Sequence, residues 1–588
     1  MGFSAFVTLA FLALGGLFAL GRRENRSQED FAVAGRRLSG AALLATLAAS
    51  NLSAFTVFGV SGAAYRTGWA FFPVMAFGTA FMALSFAYIG VPLRRLSAER
   101  GWLTPGDFIA GRFGSRAAGF VFSALSLAYT LPYLSAQAAS GGRLIAAATG
   151  LPAALASALL VATVTLYVFR GGMRAVVRTD ALQLAALVGL GLAAAVVVAR
   201  AYAGAAGPAA AGLPGDASLP GAGSPGWLAA SDPGASARAG ADGSLPIAAL
   251  AGYYLLWSLA DPMFPHFMQR FFSARGDRAL LSSMVAYPFV LLLVFLPMSA
   301  IGVMGRALAP GLTGAAADGV FTLLVTRYAG PIVGPIFSVA ALAALMSTMD
   351  SQLLSCSTMI VRDLGGGMAR PARPSEQKAD AGAEARRAGL MALAGAALGL
   401  VAWLSSLRPP EAMLSFLNRA AFPGYASLAP AALAALYLPG VGAVAAVASL
   451  LAGAALVAMQ AAGAFAPPIP AVFFNFGAQA LILAAGYAAR GLRRRFSERR
   501  AGAAARAQAG AAVAPVAVGR RAVPWMALFA ALAFLGVDPW SFFSPAWSRP
   551  GLLGLPYWLW YQIALTAALG AAFAALARAM GARAGGGD

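Results

Sequence analysis

The sequence predicts an all-α, polytopic membrane protein. Three observations carry that prediction. Hydrophobic residues make up 60% of the 588 and charged residues only 11%, with a mean hydropathy of +0.74; a soluble globular chain is about a quarter charged. The apolar residues come in blocks of about 20, the length that crosses a ~30 Å hydrocarbon core. The net charge of +21 sits mainly in the gaps between those blocks.

Taken in order, the blocks give fifteen candidate spans: 3–20, 41–64, 69–92, 117–148, 152–169, 179–201, 246–268, 279–306, 331–360, 386–407, 412–437, 440–462, 470–489, 523–541 and 555–578. The first is followed, not preceded, by basic residues (Arg22, Arg23, Arg26). A signal peptide has the opposite order, so an uncleaved first span with its N-terminus outside is expected. With that orientation the inner loops hold all but nine of the 42 Lys and Arg residues, the exceptions being Arg66, Arg143, Arg200, Arg238, Arg306, Arg327, Arg408, Arg419 and Arg549. This is the positive-inside pattern, and it places the C-terminus in the cytoplasm. Nucleic-acid binding would need one continuous basic face with aromatics to stack on, so no nucleic-acid partner is expected; the lipid bilayer is.

The remaining composition excludes more. Cys356 is the only cysteine and His266 the only histidine, which removes disulfides, cysteine metal clusters and a Ser-His-Asp triad. No Walker A or GxGxxG loop is present. The protein is not expected to be an enzyme.

Between spans, 202–245 reads as a Gly/Ala/Pro/Ser-rich outer loop, 363–385 as a polar inner segment and 498–519 as an inner linker. The expected organisation is a first span and inner loop (1–40), a transport core (41–437), two further spans (438–490), a cytoplasmic linker (491–521) and a C-terminal pair of spans (522–588). The core divides into 41–201 and 246–437. Many secondary transporters consist of two five-helix repeats of opposite topology, each opening with an interrupted helix. Span two carries AASNLSAFTVFGVSG (Ala48 to Gly62), rich in small and hydroxyl residues, and span seven carries WSLADPMFPHF (Trp257 to Phe267), with Pro262 and Pro265. Proline removes helix hydrogen bonds and frees carbonyls.

Several motifs in this order resemble the sodium:solute symporter family over about residues 30–490. They are GRRLSGAALLATLAASNLSAFTVFGVSGAAYRTG (35–68), LTPGDFIAGRFGSR (103–116), FRGGMRAVVRTDALQ (169–183), FPHFMQRFFSAR (264–275) and ALAALMSTMDSQLLSCSTMIVRDL (341–364). The resemblance implies a five-plus-five inverted-repeat, amino-acid-transporter-like core with extra flanking helices, in a bacterial inner membrane. It implies Na⁺ as the coupling ion and a small-molecule substrate carried by alternating access. The main sodium site it implies is the carbonyls of Ala49, Leu52 and Ala344 with the hydroxyls of Ser347 and Thr348.

Two intramembrane carboxylates stand out by themselves, because such groups are costly and are functional by default. Asp180 opens span six, and Asp350 lies one helical turn after Ser347. Some family members hold a second sodium with residues matching Asp180, Ser347, Asp350 and Ser351; the alternatives are a bound proton, or a structural pair with an arginine such as Arg178. For the substrate the resemblance points to Asn51, Ser53, Tyr133, Trp257, Asp261 and Asn418. Arg419, two turns into span eleven, either grips a carboxylate bidentately or snorkels to the outer interface. His266 is expected to be structural.

The C-terminal segment, with PWSFF and LGLPYWLWYQ, resembles small two-span membrane proteins encoded beside some symporters of this family. That favours a monocarboxylate such as pyruvate or lactate over an amino acid or pantothenate. The alternatives are proton coupling through Asp180 and Asp350, and a transporter-like membrane sensor. The expected inner tail after Arg578 is only about ten residues, short for a signalling domain.

Overall fold

In a bilayer the helix is one of the few structures that satisfies its own backbone, and the chain is helical at each of the fifteen expected stretches. The computed structural model describes residues 2–17, 27–210, 233–366, 381–408, 417–500, 523–549 and 551–584. The expected linker from residue 501 on, the middle of the 202–245 loop, most of 363–385, and Arg22, Arg23 and Arg26 lie outside the described residues. The molecule is an all-α membrane protein with an inverted-repeat core. Among the described residues 11 helices are long and apolar enough to cross a membrane, or 12 with one bent pair counted as a span.

The difference from fifteen has a physical reason. Helices run on through expected loops. Phe55–Arg100 takes in the second half of span two together with span three, and Ala153–Gly204 takes in spans five and six. The latter bends at Gly172, whose φ is 53°; a Cβ there would sit 2.7 Å from the Phe31 carbonyl, so only glycine fits the corner. Shorter pieces, Phe3–Leu17 and Gly40–Asn51, fall below spanning length.

Both expected interruptions are present. The first core helix stops at Asn51, leaves the helical path at Leu52 (φ −83°, ψ 100°) and resumes through a π-turn at Phe55–Gly59 into Val60–Thr67. The second runs Ile247–Ala260, tightens at Asp261–Met263 and restarts at Pro265, bending by 59°. A short backbone bridge joins the segments that flank them: Leu38 N donates to Ser273 O at 3.1 Å, and Arg275 N to Leu38 O at 3.0 Å. The amphipathic helix Pro105–Phe113 is capped by Thr104. Its Arg112 donates to Ala435 O and Leu436 O at the C-terminal end of Ala429–Tyr437, where a cation suits the helix dipole. Cys356 is buried in the core.

The C-terminal pair packs on the core with Phe529, Leu559, Leu569 and Phe573 in the shared apolar interior, and it adds a buried ion pair. Arg238, in the loop before Ile247–Ala260, is 4% exposed and lies 3.6 Å from Asp538, which is fully buried. Its guanidinium sits over the rings of Phe542 (4.6 Å) and Trp558 (5.0 Å) and donates to Ser541 Oγ. Trp558 is fully buried, with its indole N–H on the Ser236 carbonyl. On its far side the loop holds the first core helix: Ala241 N donates to Thr67 O at 3.0 Å. Removing one partner of a buried pair strands the other charge and costs about 3–5 kcal/mol, more than replacing both. Arg238→Ala is therefore expected to lower the melting temperature in detergent strongly, and Arg238→Met with Asp538→Leu to lower it less.

Candidate functional site

The site grows from the first interruption. The helix Val320–Met359 faces it with consecutive hydroxyls. Ser347 Oγ donates to Ala49 O at 2.9 Å and to Ala344 O at 3.1 Å. Thr348 Oγ1 reaches Ser50 O at 3.4 Å and Ala344 O at 3.2 Å. Five hard oxygens thus meet across a gap between two helices, all buried. The structure brings together Ala49, Ala344, Ser347 and Thr348, and Leu52 is the buried residue at which the chain leaves the helix. It adds the Ser50 carbonyl, one residue past Ala49. Hydroxyl and carbonyl oxygens of this kind suit a small hard cation.

Beside this gap lies a buried charge cluster. Arg270 and Asp180 are both fully buried, with Nη2 3.1 Å from Oδ2. Arg270 also donates to Thr46 Oγ1 (2.8 Å), Ser351 Oγ (2.5 Å) and the His266 carbonyl (2.9 Å). Thr46 Oγ1 donates to Asp180 as well. Asp350 accepts from Tyr167 OH (2.7 Å), Thr179 Oγ1 (3.3 Å) and Ser351 Oγ (3.0 Å). Ser50 Oγ, 2.9 Å from Ser351 Oγ, joins this cluster to the first.

Two expectations are corrected here. Arg270 was counted with the inner-loop arginines and is a core residue. The arginine paired with Asp180 is Arg270, not Arg178, which is exposed. Sequence reasoning also missed Thr46, Tyr167 and Thr179. The signal for Thr46 was its place one turn before Ser50 in an apolar helix.

The substrate candidates fall into one region, with one exception. Asn51 Nδ2 donates to Asp261 Oδ2 (3.2 Å) and to Tyr287 OH (2.7 Å). Ser53 accepts from the Phe55 amide and lies beside Tyr133. Trp257 and Tyr133 meet through Phe422, whose ring centroid is 4.9 Å from the one and 5.6 Å from the other. Phe422 also touches Phe55 and Phe264 at 5.9 and 6.2 Å, so one ring joins both interrupted helices. Asn418 is half-buried, one turn before Phe422. Arg419 is the exception. It is exposed on the turn Leu417–Ala421 and forms no ion pair with Asp261; a guanidinium gains more from solvation there than from the pocket. His266 is fully buried and stacks on Phe264 at 5.2 Å; it acts through its carbonyl on Arg270, a structural role.

Comparison with known proteins identifies the family and the fold. A profile of the sodium:solute symporter family matches residues 31–453. The sodium/pantothenate symporter of Haemophilus influenzae is 27% identical over 71% of this chain and 81% of its own. That of Escherichia coli is 28% identical over 67% and 76%. A Na⁺-coupled sialic acid symporter, solved substrate-bound and outward-open, aligns over 84% of this chain and 98% of its own with a TM-score of 0.64 at 14% identity, a likeness of fold. The chain belongs to the sodium:solute symporter family, multi-pass membrane transporters that couple solute uptake to sodium.

Proposed function

We propose that this protein imports a small organic monocarboxylate with sodium across the bacterial inner membrane, with its N-terminus outside and C-terminus in the cytoplasm. Two relatives that match over two-thirds of the chain or more are named as pantothenate symporters, and pantothenate is itself a monocarboxylate. The resemblance of the C-terminal pair to symporter-associated proteins points to smaller acids such as pyruvate and lactate.

The observation that carries the coupling is the meeting of Ser347 and Thr348 with the Ala49 and Ser50 carbonyls. These hydroxyls now bridge the gap by hydrogen bonds. Sodium bound among the same oxygens, with Leu52 O and Ala344 O, would tie the first core helix to its facing helix. That would favour the outward-open state and order the substrate region formed by Asn51, Ser53, Tyr133, Trp257, Asp261 and Asn418. Alternating access then exposes this one centre to each side in turn.

A second sodium is proposed at Asp180, Ser347, Asp350 and Ser351. Two buried carboxylates face one buried guanidinium, and an added cation balances the remaining charge. All three hydrogen bonds at Asp350 run toward the carboxylate, which suits an oxygen ligand.

Purified protein in proteoliposomes tests the reading. An inward sodium gradient, and not a proton gradient alone, is expected to drive uptake of labelled pyruvate, lactate or pantothenate. Contacts to a charged group are worth about 1.5–3 kcal/mol. Ser347→Ala with Thr348→Ala is therefore expected to raise the sodium concentration for half-maximal uptake roughly tenfold or more. Unchanged sodium affinity would sink the first site. Wild-type uptake is expected to be cooperative in sodium, with Asp350→Asn moving the Hill coefficient toward unity; a non-cooperative wild type removes the second site.

A further inference from the structure

Three helices around the first interruption each carry an aromatic and a polar side chain. The pairs are Tyr133 with Gln137, Trp257 with Asp261, and Phe422 with Asn418. Each pair is four residues apart and so on one helix face. The aromatic members meet at Phe422. Each polar member keeps one buried atom without a hydrogen-bond partner: Gln137 Nε2, Asp261 Oδ1 and Asn418 Oδ1; Trp257 adds its Nε1. Gln137 and Asp261 are fully buried and Trp257 is 3% exposed. Buried polar atoms in a folded protein nearly always have partners, so a group of orphans at one place marks where a ligand supplies them.

The bonds that are made fix what each orphan wants. Gln137 Oε1 accepts from the Ala54 amide at 3.3 Å. A backbone N–H only donates, so the Gln137 amide cannot be turned over and its free atom is a donor. Asp261 Oδ2 accepts from Asn51 Nδ2, which, in the carboxylate form, leaves Oδ1 as a free acceptor. Trp257 Nε1 is a donor only. Gln137 is held at Ala54 and Asp261 at Asn51, three residues apart along the interruption, so donor and acceptor serve different parts of one solute.

From this complement we infer that the substrate is a carboxylate that also carries a hydrogen-bond donor, a hydroxyl or an amide N–H. Its carboxylate oxygens go to Gln137 Nε2 and Trp257 Nε1, and its donor goes to Asp261 Oδ1. Keto acids and unsubstituted acids of the same size lack the donor. A site built to hydrogen-bond a substrate hydroxyl rejects the analogue without it, because its own buried group is then left unpaired. The inference rests on the carboxylate reading above.

Competition for sodium-driven uptake in proteoliposomes tests it, with lactate, pyruvate and propionate as three-carbon acids bearing a hydroxyl, a keto oxygen and neither, and with pantothenate added. Lactate and pantothenate are expected to compete at roughly tenfold lower concentration than pyruvate or propionate, the worth of about one hydrogen bond. In Asp261→Asn the new amide must keep its oxygen toward Asn51, which turns an N–H toward the solute. The preference is then expected to shift from lactate to pyruvate. Asp261→Glu keeps the acceptor and is expected to keep the hydroxyl preference. Gln137→Leu is expected to weaken all the acids alike. Sodium-dependent thermal stabilisation of each variant confirms that it is folded. Equal competition by the three short acids in wild type, or an unchanged preference in folded Asp261→Asn, overturns the inference. If no acid competes and an uncharged solute is carried instead, the monocarboxylate reading falls. That solute against its deoxy analogue, in wild type and Asp261→Asn, then decides the role of Asp261.

Discussion

A helix interrupted inside a bilayer exposes amides and carbonyls to a solvent that cannot pair with them. The centre of this protein is arranged around that constraint. Every amide from residue 52 to 56 has a partner. Leu52 N donates to Ala48 O, Ser53 N to Thr56 Oγ1, Ala54 N to Gln137 Oε1, Phe55 N to Ser53 Oγ and Thr56 N to Ser53 O. Local hydroxyls accept two of these five bonds, which gives Ser53 and Thr56 a role in a helix that would otherwise continue unbroken. The amides are settled within the chain, while the Ala49 and Ser50 carbonyls are met only by hydroxyls from another helix. An oxygen that accepts a hydroxyl hydrogen can equally coordinate a cation. The interruption thus closes its donor side permanently and leaves its acceptor side open to exchange.

Arg270 extends the same logic to charge. It lies on the second interrupted helix, reaches Thr46 on the first, and pairs with Asp180 on the long helix after the GG bend. A buried ion pair is weak evidence for stability, since apolar replacements often do as well. Its use here is to specify position. The guanidinium donates in a fixed fork, and its contacts with Thr46, Asp180, Ser351 and the His266 carbonyl are satisfied together in only one relative placement of four helical segments. Asp350 sits at the edge of this fork through Ser351, so a change of charge there is felt by both interrupted helices.

Sequence patterning revealed features that are local and fails where partners are distant. The two interruptions were legible because small, hydroxyl and proline residues inside apolar blocks have few other reasons to be there. Ser347 and Thr348 were legible through their motif. Arg270 was not. Charge counting treats every arginine near a span end alike, and its contact with Thr46 joins residues 224 positions apart. Arg419 left two readings open, a grip on a carboxylate or snorkelling, and its exposure on the turn Leu417–Ala421 fits the second. Tyr287, Gln137 and Phe422 carry no signal at all, since lone aromatic and amide residues are ordinary in membrane helices. Trp558 carries no signal either, since the cation that covers its ring comes from a loop more than 300 residues earlier.

The ion pairs among the described residues are unevenly strong, and this bears on how the centre is closed. At the arginine-rich end, Arg94 and Arg95 hold Asp277, Arg174 holds Asp30, and Arg36 holds Glu29. Most of these side chains keep some exposure, and exposed pairs are worth little individually because water competes for both partners. Arg362 with Asp107 differs: the carboxylate is fully shielded and the guanidinium 10% exposed. Separating it means solvating both charges or leaving one stranded. The neighbouring Asp363 strengthens the joint, accepting from Thr104 and Ser123 at 2.6 Å each. The amphipathic helix Pro105–Phe113 and the turn that ends Val320–Met359 are therefore bound as one unit. The segments around Asp30 and Asp277, which flank the two interrupted helices, are held by contacts that water can replace at low cost. The shielded joint thus lies away from the two interrupted helices, and the exposed ones lie beside them.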